Sequence, residues 1–254
     1  MRREAGRLRL MHARTRGELG QGARIAAILT AFGDRDELIG PSELARRTGL
    51  ARSTAHRLAH DLADAGLLER VNGRMRPGPL LLTLARRVVV PQALRDAAAP
   101  LMADLREAVG LGVALAVLDG ADVVCVESLQ VAGAPATPRR GDRRPALDTA
   151  AGRAILAFSP RERAAAALAA GVPGGLPRPM LARHLDRVRK DGVAYDVREP
   201  GRGTVRVAAP VLGPDGRAVA ALSVPCRGGR DRAERAASAV RATSLTLSRV
   251  LRPA

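Results

Sequence analysis

Three features of the sequence predict an α+β chain of two domains. Between Ser42 and Arg76, two short amphipathic helical patterns separated by Thr48-Gly49-Leu50 run into a hairpin signal at Asn72-Gly73, which is the order of a winged helix-turn-helix. From Gln92 onward, helical patterns and apolar strand runs follow one another as in an α/β domain. Between the two, Pro79 to Val90 (PLLLTLARRVVV) is an apolar run interrupted by Arg86 and Arg87, and it reads as a linker helix broken by Pro91. The length of 254 residues fits two domains. The expected division is a basic N-terminal extension at 1–19, the helix-turn-helix domain at 20–78, the linker helix at 79–91 and the second domain at 92–254.

Residues 1–19 are charged and lack periodicity, as expected of an extension able to reach phosphates. A first helix at about Gln21 to Gly33 places Ile25, Ile28, Leu29 and Phe32 on one face. In the next, Glu43 to Arg47, Leu44 and Ala45 form the apolar side. Ser42, following Pro41, stands where an N-cap hydroxyl accepts from a first-turn amide. Gly49 ends that helix, because only glycine enters the left-handed region without a Cβ clash.

The third helix starts near Ala51 and carries Ala55, Leu58, Ala59, Leu62 and Ala65 as its apolar stripe. Off that stripe lie Arg52, Ser53, Thr54, His56 and Arg57, the small polar and cationic side chains that a recognition helix brings to base edges in a major groove. Gly66 closes it. Leu67 to Val71 and Arg74 to Arg76 are the strands of a wing, joined by Asn72-Gly73 at positive φ. Arg70, Arg74 and Arg76 flank the wing tip, where they can lie on phosphates or enter a minor groove; with Arg46 and Arg47 they are better assigned to phosphate, and Ser42 is a further DNA-contact candidate.

In the second domain a helix with Leu94, Ala98, Leu101, Leu105 and Val109 leads to a strand pair, Val113 to Leu118 and Val123 to Val126, around Asp119-Gly120. Gly133 to Pro145 reads as a loop or a poorly formed edge strand. Helices follow at Thr149 to Phe158, from Ser159-Pro160 through Ala170, and at Met180 to Asp191. Strands return at Val193 to Val197, Val205 to Leu212 and Ala218 to Val224, and a helix from about Arg232 to Leu251 closes the chain.

Composition narrows the chemistry. The formal net charge is +17 and all but one of the cations are arginine, the exception being Lys190. Residues 1–90 carry a net of +8 and residues 91–254 a net of +9, a field that favours nucleic acid or another polyanion. Aromatic residues make up 1% of a chain that is 46% hydrophobic. The core must therefore be built from Ala, Leu and Val, and stacking of unpaired bases is not an available binding mode, so double-stranded DNA is the expected partner. Cys125 and Cys226 are too few and too far apart for a disulfide framework or a metal site, and both fit buried thiols. The sequence shows neither an apolar run of about twenty residues nor a signal-peptide core, so a cytoplasmic protein with no membrane association is expected.

These residues resemble the IclR family of bacterial transcriptional regulators. The resemblance rests on SELARRTGLARSTAHRLAHDLADAGLLER in the first domain and, in the second, on AVLDGADVVCVES, RPALDTAAGRAILAF and DGVAYDVREPGRGTVRVAAPVLGPDGRAVAALSV. It implies a linker helix joining the winged helix-turn-helix to a GAF/PAS-like α/β effector-binding domain, a homodimer or dimer of dimers, a palindromic operator, and an operator affinity modulated by a small-molecule effector, here an organic acid. A repressor is the expected sense of regulation. Carried onto this sequence, the effector pocket would involve Leu147, Asp148, Thr149, Ala150, Ala151 and Gly152, with Asp196, Arg206, Ser223 and Pro225.

Small residues at the start of a helix fit that role, since they let a carboxylate approach free backbone amides; they equally fit close packing. The chain departs from the family's pattern at Leu147, where His is usual, at Asp148, Arg206 and Pro225. Arg206 is expected either to neutralise a ligand acid or to pair with Asp148 or Asp196 and fill the pocket.

Catalytic patterns are missing from the sequence. His56 and His60 are four apart on one helix, but the intervening residues lack the glutamate of a zinc protease and no third ligand is indicated. No GxSxG, P-loop or dinucleotide-binding glycine pattern occurs, and Gly201-Arg202-Gly203 precedes a strand. No enzymatic activity, cofactor or metal is expected. Two other readings of the second domain stay open: an orphan or architectural DNA binder in which it only oligomerises, and a small-molecule enzyme fused to a DNA-binding module.

Overall fold

The structure, a computed structural model, describes residues 20–33, 38–85, 92–170, 177–198, 204–227 and 230–252. Internal contacts divide the chain into two units, Met1–Val89 and Val90–Ala254.

The first unit begins with α1 (Gln21–Thr30), α2 (Pro41–Thr48) and α3 (Arg52–Asp64). Their apolar stripes meet in one core, where Ile28, Leu44, Ala55, Leu58, Ala59 and Leu62 are buried. Ala65, expected to continue the α3 stripe, is instead its exposed C-cap, because the helix ends at Asp64 and Gly66 turns the chain at φ 75°. The start of α2 also differs from expectation. Gly40, not Ser42, is the N-cap residue and Pro41 takes the first helical position, where its fixed φ suits the helix and its missing N–H is no loss. Gly49 caps the other end at φ 71° and donates its amide to the Ala45 carbonyl.

The wing consists of β1 (Leu68–Val71) and β2 (Arg74–Pro77), paired antiparallel, with Asn72 at φ 49° and Gly73 at φ 73° in the turn. Ile39 pairs with Met75 and so pins the loop before α2 to the wing. Gly78 follows so close to the backbone that a Cβ there would lie 2.3 Å from the Gly66 carbonyl oxygen. Next comes α4 (Leu80–Ala85), whose Leu82 is 73% exposed. The remainder of the expected linker helix and Pro91 lie outside the described residues, as does the extension at 1–19.

The second unit is a six-stranded antiparallel sheet with helices on both faces. Its strands are β3 (Val113–Asp119), β4 (Asp122–Leu129), β5 (Arg143–Pro145), β6 (Ala194–Arg198), β7 (Thr204–Leu212) and β8 (Ala218–Arg227), in the order β5-β4-β3-β8-β7-β6. The helices are α5 (Gln92–Val109), α6 (Ala150–Ala157), α7 (Arg161–Ala170), α8 (Arg178–Asp191) and α9 (Arg230–Val250). Alternation along β8 assigns the layers: Leu222, Val224 and Cys226 pack with α5 and α9, while Ala221 joins α6 and α8. Both buried clusters are aliphatic, with Met102 and Cys226 added in the one beneath α5 and α9, as the aromatic-poor composition requires. The segment expected to be a loop or poor edge strand yields only three residues of pairing, β5 against Asp122 to Val124. Cys125 and Cys226 are buried free thiols, and burial pushes Cys125 up to about 12. Among the described residues no helix is long and apolar enough to cross a membrane.

Candidate DNA interface and effector site

The exposed side of α3 carries Arg52, Ser53, His56 and Arg57, with Thr54 half-buried at its flank. Burial of Ala55, Leu58, Ala59 and Leu62 on the opposite side fixes this orientation, because helical periodicity leaves no other face for the core. Ser42 also lies on this surface: its Oγ accepts a hydrogen bond of 2.7 Å from the Arg52 guanidinium, which ties the first turn of α3 to the start of α2. His56 and His60 stack with ring centroids 4.2 Å apart, and the His60 Nδ1 lies 2.8 Å from the His56 carbonyl. Among the described residues no group of three side chains is placed to hold a metal ion.

Four of the arginines expected to reach phosphate already hold acids of the same chain. Arg46 and Arg47 both bond Glu43 at 2.6 Å, and Arg47 also donates to the Ala31 carbonyl at 3.0 Å. The hydrogen bonds from Arg46 and then Arg47 hold the Glu43 carboxyl down at about 2. On the wing, Arg76 bonds Glu69 at 2.8 Å and lowers its pKa, and Arg70 meets Asp64 at 3.1 Å. The pairs of Arg46, Arg70 and Arg76 are solvent-exposed enough to exchange partners at little cost, whereas Arg47 is part-buried and also tied to Ala31. Arg74 and Arg57 make no ion pair among the described residues.

A cleft of about 360 Å³ opens between α1 and α3 and is lined by Gln21, Arg24, Thr54, Arg57, Leu58 and Asp61. Sequence reasoning missed Arg24. Its signal was present, since it lies off the stripe of Ile25, Ile28 and Leu29, but nothing local showed that α1 would bring it beside Arg57.

In the second unit, Leu147 is the middle residue of a single 3-10 turn (Ala146–Asp148), and Thr149 N-caps α6 with its Oγ1 accepting from the Gly152 amide at 2.9 Å. Leu147, Ala150 and Ala151 belong to the core between α6 and the sheet. At Gly152 the missing side chain has a packing reason, because a Cβ would lie 2.1 Å from the Ala146 carbonyl oxygen. Asp148 faces the Arg144 guanidinium at 3.6 Å.

Arg206, Ser223 and Pro225 stand at alternating positions on the sheet face that also carries Ala208 and Ala221, so they share the α6 side. Ser223 donates to the Ala114 carbonyl at 3.5 Å. Asp196 and Pro225 flank Arg206 in register on the two neighbouring strands. The Arg206 guanidinium donates to the Ala136 carbonyl at 3.1 Å, a long-range contact between strand β7 and the segment before β5.

Two further features of this region were not read from the sequence. Arg153 is 93% buried (7% exposed) and donates to the Leu147 carbonyl at 2.8 Å and the Tyr195 carbonyl at 2.7 Å, joining the turn before α6 to strand β6. Thr137 is buried against Gly112, and its Oγ1 has no hydrogen-bond partner. Both features arise from tertiary packing and carry no local sequence signal.

Comparison with known proteins accounts for both units. The model of the IclR helix-turn-helix domain matches residues 23–72, and that of the bacterial transcriptional regulator IclR C-terminal domain matches residues 86–249. The HTH-type transcriptional regulator Rv1719 of Mycobacterium tuberculosis is 33% identical over 218 residues, covering 80% of each chain. The regulator XynR of Escherichia coli is 30% identical over 211 residues, covering 79% of this chain and 83% of the relative. Among solved structures, an IclR homologue from Microbacterium hydrocarbonoxydans complexed with 4-hydroxybenzoate aligns with a TM-score of 0.77 at 26% identity, covering 90% of this chain and 97% of that one.

Proposed function

The chain belongs to the IclR family of bacterial transcriptional regulators, and on that premise we propose that it is a cytoplasmic repressor that binds a palindromic operator and is released by a small organic acid. It is a DNA-binding regulator and not an enzyme.

The observation that carries the DNA-binding reading is the exposed, cationic N-terminal half of α3, backed by a buried stripe and followed by the wing. Arg52, Ser53, Thr54, His56 and Arg57 are assigned to the major groove, and Ser42, Arg46, Arg47, Arg70, Arg74 and Arg76 to the flanking phosphates. A homodimer or dimer of dimers places its recognition helices on half-sites about one helical turn, roughly 34–36 Å, apart. Residues 20–78 read DNA, 79–91 couple the halves and 92–254 sense the effector.

The proposed effector site lies between α6 and the sheet, formed by Leu147 to Gly152 with Asp196, Arg206, Ser223 and Pro225. Arg206 supports an acidic ligand: it stands on the sheet face that α6 covers, and a guanidinium fork matches a carboxylate bidentately. The Microbacterium homologue's 4-hydroxybenzoate is an acid of this kind. Effector binding favours one arrangement of the linker helices and thereby changes operator affinity.

Fluorescence anisotropy on a duplex from the protein's own promoter region and on a scrambled duplex, at one salt concentration, tests this reading. The expected result is binding to the promoter duplex at least about a thousand-fold tighter than to random sequence, weakened by an aromatic or aliphatic acid from a small panel. Equal affinity for both duplexes would sink the regulator reading. One set of observations favours a second reading, an orphan binder whose second domain only oligomerises: Leu147 and Ala150 are buried, and Gly152 abuts the Ala146 backbone. Thermal shift separates the two, since a sensor gains melting temperature with its ligand by mass action and an orphan does not.

A further inference from the structure

We infer that the cleft between α1 and α3 is a seat for one DNA phosphodiester, with Arg24 of α1 and Arg57 of α3 as its two cationic walls. The inference rests on the DNA-binding reading; it adds Arg24, which lies outside the recognition helix and the wing, and it turns Thr54 and Arg57 from the base edges to the phosphate wall beside them.

Arg24 and Arg57 come from different helices and line the same concavity, with Thr54 beside them and Leu58 among the lining residues. Neither guanidinium holds an acid among the described residues, although Asp61 lines the same cleft. On the same domain, Arg46, Arg47, Arg70 and Arg76 each hold a carboxylate. Two cations that line one recess without an ion pair to the acid there focus their field on it, which favours an oxyanion. Guanidinium forks match phosphate oxygens, and the Thr54 hydroxyl adds a donor of the kind found on DNA backbones.

Placement identifies the anion as a phosphodiester. Successive residues along α3 turn by about 100°, so Arg52, which meets Ser42 of α2, and the Thr54-Arg57-Asp61 row lie on opposite flanks of the helix. A helix lying in a major groove about 12 Å wide presents its two flanks to the two sugar-phosphate walls. The Ser42 and Arg52 flank meets one wall, and the cleft meets the other. The chain enters the cleft rim at Gln21, directly after a stretch of sequence, residues 1–19, with six arginines against two acids.

The test is the salt dependence of DNA binding by the full-length protein and by Arg24→Gln, on the promoter duplex and on random sequence. Loss of one phosphate contact removes about 0.9 from the slope of log affinity against log salt, so the deficit should be about fifteen-fold at 50 mM salt and fall to about four-fold at 200 mM. Because a phosphate carries no sequence information, the deficit should be the same on both duplexes. Arg24→Lys should recover most of the slope. Arg163→Gln, the same charge change on exposed α7 of the other unit, should leave the slope unchanged.

If Arg24→Gln keeps the parental slope and affinity, or if Arg163→Gln lowers the slope equally, the seat does not exist. A loss confined to the promoter duplex would make Arg24 a base reader and also overturn the inference. A titration with inorganic phosphate separates the remaining source: saturable binding that Arg24→Gln abolishes while DNA binding stays intact would reassign the cleft to a free anion. Failure of the parental protein to bind either duplex would strike the DNA-binding reading itself, a result distinct from all of these.

Discussion

Replacing Arg153 with methionine removes a buried guanidinium while keeping an unbranched stem of similar reach. Its hydrogen bonds to the carbonyls of Leu147 and Tyr195 disappear, and both carbonyls lose a charged donor. Bonds from a charged donor contribute about 1.5–3 kcal/mol each. The lower end applies here, because the variant also sheds the cost of holding a cation that is only 7% exposed. The expected loss is therefore about 3 kcal/mol for the second unit. For a unit of this size each kcal/mol corresponds to about 2–4 °C, so its calorimetric transition should fall by about 6–12 °C. The first unit does not contain the contact, and its transition should stay in place. Hydrogen exchange should show the loosening first at the turn before α6 and at β6. A shift below about 2 °C would mean that Arg153 is dispensable and that packing alone joins these elements.

Three further outcomes are expected. Glu43 should titrate near 2 by NMR; the stabilisation from its pairing with Arg46 and Arg47 is then complete above the ordinary glutamate range and lost only as the pH falls through about 2, whereas a midpoint near 4.5 would show that the pairs do not persist in solution. Cys125, pushed up to about 12 by burial, should resist iodoacetamide at pH 8 in the folded protein and react once urea unfolds it, so alkylation at the unfolded rate would refute its burial. Gly78→Ala should lower the stability of the first unit by about 1–3 kcal/mol in urea, because its Cβ has no room beside the Gly66 carbonyl; an unchanged midpoint would show that the junction between wing and α4 is slack.

What could be read from the sequence divides by range. Gly49, Gly66 and Asn72-Gly73 announced their turns because a single residue type carries the signal for positive φ. The stripe on α3 was legible as far as Leu62 because burial repeats with the helical period, and it failed at Ala65, where the cap had already begun. Ser42 misled because a serine after a proline fits two roles; Pro41 at the first helical position settled the competition and moved the cap to Gly40. The pairs of Glu43 with Arg46 and Arg47 follow from helical spacing, and that of Glu69 with Arg76 from the wing register. Arg206 reaching Ala136 and Arg153 reaching Tyr195 connect positions seventy and forty-two residues apart. Those depend on how the sheet closes, which no window of sequence contains. Arg24 and Arg57 line one cleft because α1 packs on α3, a juxtaposition that the pattern of α3 alone does not contain.

The acids held by Arg46, Arg47, Arg70 and Arg76 bear on how such a protein finds one address in a chromosome. An arginine that already has a carboxylate gains little from an arbitrary phosphate, because each new bond replaces an old one, and fewer counterions are released on sliding contact. A chain with a formal charge of +17 would otherwise be held by bulk DNA almost wherever it landed. Genomes offer about a million to a billion competing positions, so time lost on wrong ones counts as much as affinity for the right one. On the proposed DNA-binding reading, Glu43, Asp64 and Glu69 would shorten those stops, with the full set of contacts exchanged only where the groove also satisfies Arg52 and its neighbours.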